Sequence, residues 1–356
     1  MSPIPVVWSP RCRLHVPAAE IWLGVRTQGT EVPERVDVIL ESLRRAGHRL
    51  VDAVPQDDSW LTKVHDQGLV GHLAGVYDDW TASGIGEEVG QDQVVPYVFP
   101  TAAMLGGIPA TRAAAVHGRA GSFCYDTMTL VGPGTWAAAR SAVDCALTAV
   151  DLVVGNAVGP AGAAYALCRP PGHHATTNGY GGSCYLNNAA IAAQSLRTRG
   201  HDRVAVVDVD AHHGNGTSAI FYGRADVFYG SVHVDPGAGW FPHYVGHRGE
   251  HGRGAGLGAN LNLPLAPGAG DSEFLQAVAE LAGSVAAHGA SAMVVSLGVD
   301  AAAEDPESPL NVTPDGYRAA GDTLASLGLP TVIVQEGGYH LPSLGGLVAA
   351  FLSSWP

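Results

Sequence analysis

The chain has 356 residues, a hydrophobic share of 46% and a formal net charge of −14. That apolar share fills one sizeable core, and the negative balance argues against nucleic acid as a direct partner, mildly favours cationic ligands and also serves plain solubility. No apolar run is long enough to cross a bilayer, and the N-terminus, with Pro3, Pro5, Arg11 and Arg13, lacks the apolar core of a signal peptide. The cysteines (Cys12, Cys124, Cys145, Cys168, Cys184) are odd in number and form no Cys-x-x-Cys pair, so a reducing, cytoplasmic location is expected.

In chain order, the first helix is predicted from about Glu34 to Ala46, with Val36, Ile39, Leu40 and Leu43 on one face and Gly47 as the stop. Trp60 to Trp80 reads as helical with breaks at Gly68, Gly71 and Gly75. Ser83 to Pro133 loses periodicity under many Gly and Pro residues, the pattern of a functional lid or an interface; Tyr97, Phe99, Phe123 and Tyr125 argue against disorder. A helical stripe returns with Trp136, Ala139, Val143, Ala146, Leu147 and Val150. Strands are predicted at Ala163–Leu167, Val204–Val207, Val227–Val232, Met293–Leu297 and Thr331–Val334. Helices follow at Asn187–Arg199, Glu273–His288 and Thr313–Leu327, with another near Phe351. This alternation predicts an α/β fold: one domain over 1–356, with a mostly parallel sheet and helices on both faces.

Five strand ends carry unusual polar residues: His173-His174, Asp208-Asp210-His212, His233-Asp235, Asp300 and Glu336-Tyr339. In an open parallel sheet such ends share one edge, so distant residues can converge there. Asp210 and His212 alternate along extended chain, and Asp300 offers a third donor from another strand. This O/N mixture suits Zn²⁺ and leaves positions open for water and substrate. His173 and His174 are candidate acid/base groups, and Tyr339 a candidate donor to an oxyanion. Each also has a plainer explanation: the His pair can cap a strand, Asp300 a helix, and Tyr339 can pack in its turn. Other histidines, among them His48, His65, His72, His201 and His288, are expected on the surface.

Five motifs then stand in order: RPPGHHA (Arg169 to Ala175), GGSCYLNNAAIAA (Gly181 to Ala193), VDVDAHHGNGT (Val207 to Thr217), SLGVD (Ser296 to Asp300) and EGGY (Glu336 to Tyr339). With KVHD (Lys63 to Asp66), PGTW (Pro133 to Trp136) and FPH (Phe241 to His243), they resemble the histone deacetylase superfamily over nearly the whole length, and within it the bacterial acetylpolyamine amidohydrolases. The resemblance implies an arginase/deacetylase-like fold with a sheet of about eight strands. It implies zinc on Asp210, His212 and Asp300, His174 as general base with His173 as its partner, and Tyr339 at the oxyanion. Asp208 would orient His173 and Asn215 would back His174. The Gly182 carbonyl would receive the substrate amide N–H, and Phe241 would form one wall. A K⁺ or Na⁺ ion would sit on Asp208, Ser231 and backbone carbonyls including that of Val232, with a second near Phe221, Arg224 and Val227. The implied reaction is hydrolysis of an N-acetyl amide to acetate and a primary amine. Alternatives are a protein acetyl-lysine deacetylase and a non-catalytic small-molecule binder.

The chain departs from the family pattern at two places. Ser183 stands where an aromatic wall residue is expected, which predicts a wider or more polar tunnel. In the 83–133 insertion, His117 and Met128 occupy the positions of the acidic residues that recognise distal ammonium groups, with Asp126 nearby as a substitute. The resemblance further implies that the insertion narrows the entrance and forms a homodimer, which favours small acetylated amines over folded protein substrates. Trp240, beside Phe241, would either join the rim or pack within its loop.

Overall fold

The computed structural model describes residues 4–159 and 162–355. Ten strands occur in these residues: β1 (Pro5–Trp8), β2 (Glu20–Trp22), β3 (Val25–Thr27), β4 (Arg49–Asp52), β5 (Ala163–Ala166), β6 (Val204–Asp208), β7 (Val227–Val234), β8 (Asn260–Leu265), β9 (Ala292–Leu297) and β10 (Thr331–Gln335). Eight form one sheet in the order β4-β1-β5-β10-β9-β6-β7-β8, and every pairing in it is parallel. β2 and β3 form a separate antiparallel hairpin. This is the single α/β domain expected from the strand–helix alternation.

The central strands read as unbroken Val/Ala/Ile runs because both faces are covered by helices. Val204, Val206 and Val207 are fully buried, and each such valine contributes roughly 1.5–3 kcal/mol by leaving water. Helices Glu34–Arg45, Thr135–Val154 and Asn188–Thr198 line up apolar stripes against the sheet. The helix Gln67–Ser83 runs without the predicted breaks; Gly68 lies in its first turn, where its N–H is taken by the Asp66 side chain. His65 and His72, expected on the surface, are buried at 2% and 3% exposure. Within 83–133 there are three short helices, Ile85–Val89, Ala102–Leu105 and Val116–Ala120, tied by an isolated bridge between Val94 and Val131.

The chain steps from β5 to β6 across the places that β10 and β9 later fill. A crevice at such a switch in strand order, outside the C-terminal strand ends, is where open α/β sheets bind ligands. The polar motifs emerge at that edge. All five cysteines are buried and free.

Candidate active site

β6 stays apolar until Asp208, where register sets it beside Ser231 of β7 and Ser296 of β9. β6 ends there and the chain bends through 210–212, which brings Asp210 and His212 together with Asp300, their donor atoms within 4.8 Å of one another. Asp210 accepts N–H bonds from Gly337 (2.8 Å) and His212 (2.9 Å), and Asp300 accepts one from Ala211 (2.8 Å). His212 Nδ1 lies 3.3 Å from Asp210 Oδ1 and 3.1 Å from Asp300 Oδ2. The glycine at 337 is required, because a Cβ there would stand 2.4 Å from Asp300 Oδ2 and 2.6 Å from Asp210 Oδ2.

Both carboxylates are buried and, among the described residues, bond to no Arg or Lys. Burial and the neighbouring Asp210 charge push Asp300 up to about 7. Burial opposes charge on His212, yet Asp210 and Asp300 outweigh it and hold the ring well above its usual range. The pocket therefore favours positive charge between these groups. A tetrahedral Zn²⁺ with bonds of about 2.0–2.1 Å needs donors roughly 3.3 Å apart, which the His212–Asp210 and His212–Asp300 separations match. The donor set fits such an ion.

The PPGHH turn is clamped from below by Glu336. Its Oε2 accepts from Gly172 N (2.7 Å) and His173 N (3.1 Å), and its Oε1 accepts from Ser296 Oγ (3.2 Å). The two imidazoles lie with centroids 4.0 Å apart. His173 Nδ1 is 3.0 Å from Asp208 Oδ2, which also accepts from the Tyr229 hydroxyl at 3.1 Å. Burial works against charge on His173, but Asp210 and Asp208 outweigh it and raise the ring to about 10. His174 Nδ1 is 2.7 Å from Asn215 Oδ1. Burial, then the positive His173 and His212, push His174 well below the usual imidazole range. One member of the pair is thus charged and the other neutral.

His174 and His212 line the floor of a cavity of about 600 Å³, with His173, Asp210 and Asp300 in contact behind them. Phe241 stands edge-on to His174 at 4.7 Å. Opposite it, Gly182 leaves the space that a side chain would fill, since a Cβ there would meet the His174 ring at 2.5 Å and Phe241 at 2.9 Å. Gly182 and Ser183 are consecutive left-handed residues, with φ of +56° and +61°; for Ser183 that conformation costs roughly 1–2 kcal/mol. Tyr339 lines the cavity, with its ring 4.7 Å beneath the Arg35 guanidinium and its N–H held by Asp305 at 2.6 Å. Burial keeps its hydroxyl protonated far above neutral pH.

The histone deacetylase domain family matches residues 29–355. The chain belongs to the histone deacetylase domain family. Among its members, the acetylpolyamine amidohydrolase of Mycoplana ramosa is 39% identical, over 98% of each chain. Histone deacetylase 8 of Arabidopsis thaliana is 38% identical over 60% of this chain and 58% of its own. A crystal structure of the acetylpolyamine aminohydrolase from Burkholderia pseudomallei superposes with a TM-score of 0.91 and 38% identity, covering 99% of this chain and 98% of that one. Membership implies a metal cofactor, typically zinc.

Family motifs thus converge where the sheet edge predicts. His173, His174, Asp210, His212, Asp300 and Tyr339 gather on one floor, with Asp208 and Asn215 behind the imidazoles. Ser231, with its hydroxyl 2.8 Å from His233 Nδ1, and the buried Val232 lie behind that floor on β7. Phe241, Gly182, Ser183, Met128 and Trp240 all line the cavity, but His117 does not; it stands on Val116–Ala120 against Tyr97. Asp126 also lines it, yet its carboxylate is occupied by Met128 N, Thr129 N, Thr129 Oγ1 and Gly182 N. Two acids that sequence reasoning missed face the same space: Glu20 on β2 and Glu307. Glu307 accepts from Thr30 Oγ1 at 2.7 Å. No donor reaches the Glu20 carboxylate among the described residues, and burial followed by the charges of Glu307, Asp126 and Glu31 pushes it up to about 7. No sequence signal singles these acids out; a hairpin and a loop far apart in the chain bring them together.

Proposed function

We propose that the protein is a zinc-dependent amidohydrolase that releases acetate from small, cationic N-acetylated amines, acetylpolyamines being the class for which its relatives are named. One observation carries the reading: a buried Asp210–His212–Asp300 donor set lies at the floor of a cavity whose wall carries the uncompensated acids Glu20 and Glu307.

Asp210, His212 and Asp300 would hold the ion. Bound there, zinc would polarise the acetamide carbonyl and lower the pKa of water. Asn215 ties Nδ1 of His174, so Nε2 is the nitrogen free to take the proton of the attacking water and return it to the departing amine. Asp208, itself held by the Tyr229 hydroxyl, holds His173 from behind, so its ring stays fixed beside that of His174. The Tyr339 hydroxyl donates to the carbonyl oxygen as negative charge develops. The Gly182 carbonyl accepts the amide N–H, and Phe241 packs along the path of the amine's alkyl chain. Glu20 and Glu307 attract the distal ammonium group. Asp208, Ser231 and the Val232 carbonyl would hold a K⁺ or Na⁺ ion, which would stiffen the floor from behind.

The enzyme acts as a homodimer through the 83–133 insertion. Tyr97, Met104 and Ile108 of that segment are 81%, 63% and 72% exposed, an apolar surface that a second copy would cover. Light scattering tests this. The proposed site of action is the cytoplasm. Among the described residues, no helix is long and apolar enough to cross a membrane.

The test is a metal-replete screen of acetylated diamines and polyamines against acetyl-lysine peptides. Turnover concentrated on the small amines supports the proposal. A clear preference for peptides overturns the substrate class, and no hydrolysis of any acetamide overturns the activity.

A further inference from the structure

The left-handed pair Gly182–Ser183 needs an external mould, and the last part of the 83–133 segment supplies one. Residues 123–126 run beside 180–182: Tyr180 N donates to Phe123 O at 2.8 Å, and Tyr125 N to Tyr180 O at 3.1 Å. The Tyr125 ring occupies the space of the missing Gly181 side chain, where a Cβ would lie 2.2 Å from it, and its hydroxyl donates to the His174 carbonyl at 2.8 Å.

Beyond this bridge, two side chains take the two wall amides. Gly182 N donates to Asp126 Oδ2 at 2.6 Å, and Ser183 N donates to Thr129 Oγ1 at 2.9 Å. The Thr129 hydroxyl passes its own hydrogen to Asp126 Oδ2 at 3.1 Å, so the two acceptors form one relay. Thr129 is only 2% exposed and does not line the cavity.

The N–H of Ser183 and the carbonyl of Gly182 belong to one peptide plane, and in a trans peptide they point in opposite directions. Anchoring the N–H on Thr129, behind the wall, turns the carbonyl toward the cavity. No donor within the protein reaches the Gly182 carbonyl among the described residues. It is a free acceptor with a fixed direction.

We infer that Thr129 and Asp126 are positioning residues for the reaction: through the Gly182–Ser183 peptide they aim the Gly182 carbonyl at the substrate amide N–H, and so select amides over esters. This rests on the deacetylase reading above. An acetate ester has no N–H to offer that carbonyl, so misdirecting the carbonyl harms amide hydrolysis and leaves ester hydrolysis nearly unchanged.

The experiment compares kcat/KM for an N-acetylated amine and the matching O-acetyl ester on the zinc-loaded protein. Thr129→Val keeps the shape and removes the acceptor. It frees the Gly182 carbonyl to turn and lowers amide turnover about tenfold, the net worth of one hydrogen bond to the substrate N–H, and changes ester turnover by less than about twofold. Thr129→Ser restores the amide rate. Asp126→Asn weakens both anchors and lowers the amide rate by about 10- to 100-fold, the scale of a small misplacement of a binding group. Equal losses on amide and ester, or no loss on either in Thr129→Val, overturn the inference. If the unmodified protein hydrolyses neither compound, the deacetylase reading fails instead.

Discussion

The floor and the wall of the cavity are built in opposite ways. The floor is a product of the sheet: Asp210, His212 and Asp300 follow strand ends, and their backbones are fixed by parallel pairing with β7, β9 and β10. Its carboxylates and imidazoles hold one another at 2.7–3.3 Å through side-chain and backbone partners. The wall is assembled from loops and one hairpin: Glu20 and Trp22 come from β2, Met128 from the loop before the helix Thr135–Val154, Trp240 and Phe241 from the loop after β7, and Glu307 from the loop after Asp300. Trp22 and Leu23 there are 55% and 81% exposed. Such a division lets the sheet hold the chemistry rigid while loops choose the substrate.

Changes on the floor should abolish turnover, whereas changes on the wall should redistribute it among substrates. The largest effect is expected at the ion. Asp300→Ala removes a donor and leaves Asp210 and His212 with two; metal analysis should show loss of zinc, with turnover down more than about 1,000-fold on every substrate. Tyr339→Phe keeps the metal and removes one oxyanion donor, which should lower kcat by about 100- to 1,000-fold. An unchanged kcat would remove Tyr339 from the floor's chemistry.

On the wall, Glu20→Gln and Glu307→Gln should each raise KM about tenfold for substrates with a distal ammonium group, the scale of a charge-assisted contact. They should leave a neutral substrate of equal length unaffected. Glu20 also gives the wall a pH dependence. With its carboxyl raised to about 7 in the free protein, more of it is charged as pH rises through that value, so KM for a cationic substrate should fall between about pH 6 and 8. Glu20→Gln should flatten the profile.

The smallest effect on turnover is expected at His65, which belongs to neither region but supports both. Its Nδ1 is 2.9 Å from the Thr176 carbonyl, and its Nε2 accepts from Asn187 N at 2.9 Å, so the ring is held neutral. Burial pushes it down to about 4. The unfolded chain takes up this proton near pH 6.5 and the folded one only near 4, so the histidine's contribution is complete above about 6.5 and is lost as pH falls through that window. Thermal melts from pH 7 to 4 should show that decline, and His65→Gln should weaken it while leaving turnover at pH 8 nearly intact.

The same division explains what could be read from the sequence. β6 and β10 are rich in β-branched residues, β7 and β9 are mostly apolar, and all four run into acids or histidines, so both the strands and their polar ends stand out. β1 and β4 lie on one side of the sheet, and β4, Arg49–Asp52, is half exposed and too short to show a period; β8 contains Pro264 and two asparagines. None of the three carries a clear pattern. Of the site, the floor was legible because its residues sit in motifs at strand ends. Glu20, Glu307 and Thr129 were not: each is a single polar residue in an ordinary hairpin or loop, and only the tertiary fold sets it against the cavity. Asp126 stands out in the sequence as a candidate ammonium receptor, but four N–H and O–H donors occupy its carboxylate, which leaves it holding the wall instead.

The most direct test of the central claim is a paired kinetic measurement on the zinc-loaded protein. It compares kcat/KM for an N-acetylated diamine and for its neutral isostere, in which a methyl group replaces the distal ammonium. A floor that performs deacetylation beneath a wall that selects cations predicts hydrolysis of both, with the diamine preferred about tenfold or more. Equal rates, or a preference for the neutral compound, would contradict it.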